Sequence, residues 1–213
     1  MKKLISIFLV TIMILGLCAC GKKSENPDEF YKEFPTGDEI FTVEIEKNPQ
    51  AVLTLSDGSE IVIELCYEAA PNAVANFITF ADQKIYDNMG FTDVRNNCIV
   101  MTGALEGSFE PPYYVQDEID NNSLSHTRGT VSMIRTSYSD TLTGQFFILT
   151  EDQVHFDKNF TAFGKVIEGM ENVDKIASSE IDDDGKVLEP VGITKVKVKT
   201  FGVKMPTPTI ILK

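Results

Sequence analysis

The chain has 213 residues, enough for one domain with accessory segments at its ends. It is 43% hydrophobic and 24% charged, the balance of a soluble globule. A formal net charge of −13 and the lack of any basic patch exclude nucleic acid as a partner and exclude electrostatic adhesion to anionic lipid.

The N-terminus reads as an address. Met1-Lys2-Lys3 is basic, and Leu4 to Leu17 is apolar but too short to span a bilayer comfortably. Leu17-Cys18-Ala19-Cys20-Gly21 then resembles a bacterial lipobox, which implies cleavage before Cys20 and a lipid on its sulfur. Cys18 is the weaker candidate because bulky Leu17 precedes it. Residues 1–19 are read as a lipoprotein signal peptide and 20–42 as a tether, polar, acidic and broken by Pro27, Pro35 and Gly37. Phe30, Tyr31, Phe34 and Phe41 blur its inner boundary. The expected location is the extracytoplasmic face of the cytoplasmic membrane of a Gram-positive bacterium, with the lipid as the membrane contact.

Cys66 and Cys98 remain for the domain. One possible bridge is no disulfide framework, and both read as small buried hydrophobes in strands, their pairing left open. His126 and His155 are the only histidines, and no Cys/His cluster has zinc spacing, so neither metal nor cofactor is expected.

The domain is expected over 43–203. Two apolar runs, 51–55 and 60–65, flank Ser56-Asp57-Gly58-Ser59, a hairpin signal. Pro71 opens a helix whose stripe is Ala73, Val74, Phe77, Ile78 and Ala81. Residues 90–95 and 98–101 read as short strands joined by Asn96-Asn97. Residues 103–125 are irregular. Gly129 to Met133 and Gly144 to Thr150 read as strands, the second buried on both faces. There Phe146 and Ile148 point one way, Gln145 and Phe147 the other. A second helix is expected over 172–178, with Val173, Ile176 and Ala177 inward. The acidic loop 180–185 lacks the terminal Glu of an EF-hand. Thr194 to Thr200 alternates valine with lysine, a strand with one wet face, and 204–213 reads as a loose tail. Many short strands with two helices suggest a mainly β fold, a closed antiparallel barrel capped by helices.

Several motifs stand in one order: His126-Thr127-x-Gly129-x-x-Ser132-Met133, Gln145-Phe146-Phe147-Ile148-x-Thr150, Phe156-Asp157, and Phe163-Gly164-Lys165-Val166-x-Glu168-Gly169-Met170. Over roughly Ala51 to Phe201 the chain resembles the cyclophilin family of peptidyl-prolyl cis-trans isomerases. The resemblance implies an eight-stranded closed barrel with two capping helices, and proline-containing peptides as partners of a monomer. Gln145 falls on the family's backbone-contacting Gln and Phe147 on its pocket-floor Phe. Phe156 falls on a pocket-wall position, Phe160 where the family has His or Tyr, and His155 where some members carry Trp. Ile134 and Arg135 fall on the Ala-Asn backbone-docking positions. Cys98 and Ile99 replace Phe and Met. Asp93 occupies the catalytic Arg position, and Met101 replaces the Gln that supports that Arg.

An ionised Asp93 cannot donate to a prolyl nitrogen. Arg95, two residues on, and Arg135, at the groove, are the candidate substitutes; either can instead pair with Asp93 and neutralise it. Three functions follow. The first is a tethered isomerase for secreted or envelope proteins, weakened by loss of Arg. The second is a proline-peptide binding module without useful catalysis. The third, a ligand-capturing lipoprotein feeding a transporter, needs two lobes around a hinge, which one core of this length does not supply.

Overall fold

The computed structural model describes residues 43–95, 98–120 and 122–213. The leader, Cys20, the tether and the Asn96-Asn97 turn lie outside the described residues.

The hairpin forms as its turn residues dictate. Strands β1 (Gln50–Leu55) and β2 (Glu60–Leu65) pair with Leu53 opposite Ile61 and Ala51 opposite Ile63. Gly58 takes φ 84°, a region open to glycine, and the Asp57 carboxylate accepts the Ser59 N–H at 2.9 Å. Alternation then sends Ala51, Leu53, Leu55, Ile61, Ile63 and Leu65 into the core.

Helix α1 (Pro71–Asp82) starts on proline and has no side-chain cap of its own. A distant carboxylate fills that role. Glu118 accepts the Asn72 and Ala73 N–H groups at 3.0 and 2.8 Å, one on each oxygen. The apolar stripe delivers Phe77 to an aromatic core with Tyr86, Phe146 and Phe163, at centroid distances of 4.9, 5.6 and 5.5 Å. Helix α2 (Met170–Ala177) buries Val173 and Ile176; Ala177, expected inward, is only half-buried.

Strands β3 (Met89–Arg95), β4 (Ile99–Ala104), β5 (Thr130–Arg135), β6 (Leu142–Leu149), β7 (Ala162–Glu168) and β8 (Lys186–Lys199) complete a closed barrel in the order β1-β2-β7-β5-β6-β4-β3-β8. Every adjacent pair is antiparallel. The mainly β, eight-stranded, helix-capped class expected from the sequence is the one observed.

Two segments differ from expectation. Strand β8 begins at Lys186, well before Thr194, because Pro190 and Gly192 do not break it. They lie where it passes from β3, through Gly90 opposite Gly192 and Asp93 opposite Lys186, to β1, through Leu55 opposite Ile193. A Cβ on Gly90 would stand 2.7 Å from the Val191 carbonyl, so the backbones meet where both lack side chains. The tail is docked, not loose. Thr209 exchanges hydrogen bonds with the Asn72 side chain at 2.8 and 3.1 Å, and Ile211 bridges Tyr114.

Candidate active site

The site lies on the outer face of the barrel. Strand β6 sends Phe146 and Ile148 inward to full burial and leaves Gln145, Phe147 and Leu149 on the other side. Register aligns these with neighbouring strands. Asp93 stands opposite Met101, Met101 opposite Phe147, and Phe147 opposite Ser132, one row across β3, β4, β6 and β5. The next row sets Arg95 opposite Ile99 and Ile99 opposite Leu149.

These rows make an apolar cluster. Cys98, Ile99, Phe147 and Leu149 are buried, and Met101, Ile134, Phe156 and Phe160 pack on them half-buried. The loop after β6 folds over this floor through a single 3-10 turn, Val154–Phe156. Phe160 meets the Phe147 ring edge-on at 5.3 Å, Phe156 meets it at 6.1 Å, and the two loop rings touch at 5.0 Å. The structure thus gathers Cys98, Ile99, Met101, Ile134, Phe147, Phe156 and Phe160 into one apolar cluster, and adds Leu149. His155 is exposed, with its ring against Phe156 at 4.5 Å, and stands outside the cluster. Gln145 is half-buried at the rim, and its Nε2 donates to the Thr102 carbonyl at 2.9 Å. Cys66 and Cys98 are free thiols, and burial pushes Cys66 up to about 11.

His126 escaped the sequence reading. It is 1% exposed and stacks on Phe147 at 6.4 Å and 22°, with Phe156 and Phe160 edge-on. Its Nδ1 lies 2.7 Å from Asp157 and its Nε2 2.8 Å from Ser132 Oγ. Asp157 also accepts the His126 N–H and the Ser125 hydroxyl, both at 2.8 Å. The network therefore ties the loop bearing Phe156 and Phe160 to strand β5. Burial draws His126 below its ordinary value against the pull of Asp157. Burial pushes Asp157 upward, but the bonds from His126 and Ser125 outweigh it and hold the carboxyl low. A serine, histidine and aspartate in line would suit acyl transfer, yet Ser132 is fully buried, so no acyl group reaches it. The sequence signal for it is the His126-Thr127 motif, which marks the family resemblance and does not itself place the ring.

Charge gathers at the β3 edge. Asp93 is 10% exposed at its side chain and receives Arg95 Nη2 at 2.8 Å and Lys186 Nζ at 3.0 Å. Thr92 adds a hydroxyl donor at 2.9 Å. The other end of the Arg95 guanidinium donates to the Asp184 carbonyl. So Arg95 takes the pairing alternative, joined by Lys186, which lies on β8 ahead of the expected strand start at Thr194. Arg135 is not a partner of Asp93. Its guanidinium donates to the Asn159, Thr136 and Tyr138 carbonyls at 3.4, 3.5 and 3.2 Å, with Asp117 at 3.9 Å. Among the described residues no group of three or more His, Cys, Asp or Glu is placed to hold a metal ion.

The family model described as cyclophilin type peptidyl-prolyl cis-trans isomerase/CLD matches residues 51–198, almost the whole barrel. The chain belongs to the cyclophilin family.

A peptidyl-prolyl cis-trans isomerase of Helicobacter pylori is 33% identical over 147 residues, covering 67% of this chain and 89% of the relative. Peptidyl-prolyl cis-trans isomerase B of Bacillus subtilis is 34% identical over 135 residues, 62% of this chain and 94% of the relative. The barrel also superposes on a crystal structure of a Cryptosporidium parvum cyclophilin type isomerase with a TM-score of 0.63 at 22% identity, covering 71% of this chain and 98% of that one. That likeness concerns the fold. Domain and relatives together give this cyclophilin prolyl isomerisation as its activity. In it, Asp93 and Met101 stand opposite each other on the row that leads to Phe147.

Proposed function

We propose that this cyclophilin is a lipid-anchored, extracytoplasmic folding helper that grips X-Pro segments of secreted or envelope proteins and turns them over slowly. The single observation that carries the reading is the partly exposed apolar cluster on the face of β4, β5 and β6, taken as the peptide groove. An aromatic floor and wall remain, while the row beside them presents a carboxylate already engaged by two cations.

The chemistry explains the weakness. Amide resonance sets a barrier of roughly 18–20 kcal/mol to rotation. A catalyst lowers it by holding the ring and its neighbouring carbonyl, and by donating to the prolyl nitrogen as it turns pyramidal. Phe147, Met101, Ile99, Phe156 and Phe160 supply the apolar seat. Gln145, at the rim, supplies the backbone contact with the half of its amide that Thr102 does not use. The donor is what is missing: Asp93 accepts only, Arg95 is bonded at both ends, and Arg135 must leave the carbonyls that hold it. Arg135 is the donor in this reading, because it adjoins Ile134 of the groove and bonds to Asn159, the residue before Phe160. A related cyclophilin was crystallised in the presence of the dipeptide Ala-Pro, which supports a proline peptide as the occupant. The lipobox-like Cys20 supports the anchor.

A second reading, a binding module without turnover, is favoured by that same Asp93 cluster. Exchange spectroscopy on a short Phe-Pro peptide separates the two. The isomerase reading expects acceleration that falls with Gln145→Ala and with Arg135→Ala. The binding reading expects shifted peptide resonances with no acceleration, and rate gained only on Asp93→Arg.

A further inference from the structure

The groove has a candidate occupant within its own chain. The segment just before the described residues contains Phe34-Pro35, an X-Pro bond with an aromatic residue on its N-terminal side. Pro35 precedes Val43, the first described residue, by eight positions.

Val43 is joined to the groove wall by a short relay. Its backbone hydrogen-bonds Tyr67, which lies in the field of the Glu118 carboxylate. The Glu118 N–H donates to Thr161 Oγ1 at 2.9 Å, and Thr161 follows Phe160 of the groove wall. A hydrogen bond, a charge interaction and a second hydrogen bond thus lead from the chain's entry to the residue beside Phe160. Eight residues reach at most ~26–29 Å when extended and about 14–17 Å as a coil. A linker of that length holds its end at an effective concentration of about millimolar.

Charge and shape agree. Asp38-Glu39 would follow the bound proline, and the groove rim presents Arg95 and Lys186 at one edge and Arg135 at the other. Asp93 offsets only one of the first two. Half-buried Met101, Ile134, Phe156 and Phe160 leave apolar surface for the Phe34 ring and the Pro35 ring.

We propose that Phe34-Pro35 of the chain's own N-terminal segment is an intramolecular substrate of the groove, exchanged in cis and competing with peptides that arrive from outside. The proposal rests on the reading of the groove as an X-Pro site. It makes the segment a built-in competitor that only a peptide of higher affinity or concentration displaces.

The test is exchange NMR on the full chain in detergent micelles, with Phe34 and Pro35 isotopically marked, beside a synthetic peptide of residues 30–40. In the free peptide, cis-trans exchange takes roughly tens to hundreds of seconds. In the chain we expect Phe34-Pro35 to exchange about tenfold faster or more, at a rate independent of protein concentration. Saturating Phe-Pro peptide added in trans slows that exchange, and Pro35→Ala lowers the KM for the added peptide by about severalfold. Exchange at the free-peptide rate, in a sample that still turns over added Phe-Pro peptide, overturns the proposal and leaves the isomerase reading standing. Acceleration that scales with protein concentration overturns the cis form. A sample inert toward added peptide as well overturns the isomerase reading and the proposal with it.

Discussion

Asp93 faces a row of apolar side chains, and the two cations that hold it come from different distances in the chain. Arg95 is its neighbour by alternation on one strand. Lys186 arrives from 93 residues away, because β8 crosses from β1 to β3. Exchanging Asp93 for Arg places a donor on the row with Met101 and Phe147, although the Met101 thioether offers it no firm hydrogen bond. An optimally preorganised donor is worth about 10²–10³ in rate. Asp93→Arg is therefore expected to raise kcat/KM by roughly tenfold, the shortfall reflecting the missing support and the two cations left unpaired beside it. Unchanged turnover in a folded variant would mean that the row does not face the bound proline. Gln145 lies at the other end of the site, and Gln145→Ala removes the rim amide. It should lower kcat/KM by about tenfold or more without moving the melting temperature beyond a degree or two, since the side chain gives up one rim hydrogen bond.

At the scale of elements, two parts of the fold set the site in place, and each can be perturbed. Strand β6 enters the barrel through Gly144 at φ 90°, where an added Cβ would collide with the Phe80 ring. Gly144→Ala should cost roughly 2–4 kcal/mol, the sum of a left-handed alanine and an overpacked core, read as a lowered denaturant midpoint. Helix α1 is capped by Glu118, a residue from the irregular segment. Burial pushes this carboxyl up to about 7, against the two amide bonds that favour its ionised form. Its folded pKa is above the unfolded value of 4.5, so the stability it contributes is present in full below about pH 4.5 and fades as pH rises through about 7. Glu118→Gln should remove about 2 kcal/mol of that pH dependence between those limits, after discounting for the partial solvent access of a mostly buried carboxyl. Urea midpoints at pH 4.5, 6 and 8 for both chains would show it; parallel curves would refute the assignment.

At the scale of the molecule, the barrel was legible because its signals are local or repeated. Asp57-Gly58 fixed one hairpin, the stripe after Pro71 fixed a helix, and alternation across 145–149 separated core from groove. Family order singled out seven residues that meet in one cluster. What stayed hidden depends on contacts across long separations. Lys186 beside Asp93, Glu118 on the α1 N-terminus and Thr209 on Asn72 join positions that no periodicity relates. His126 stayed hidden for another reason. Its His126-Thr127 motif has no periodicity that would place it, and only the Phe147 ring and the Asp157 and Ser132 bonds reveal it as the underside of the pocket.

The central claim is that the outer face of β4, β5 and β6 binds an X-Pro bond and lowers its barrier with a diminished donor set. The most direct measurement is exchange NMR of a Phe-Pro peptide with the wild-type chain, beside Asp93→Arg and Gln145→Ala. The account predicts acceleration by the wild type, more by Asp93→Arg, and little by Gln145→Ala, with shifts confined to residues around Phe147 and Phe160. Acceleration that ignores both substitutions, or peptide-induced shifts on another face of the barrel, would contradict it.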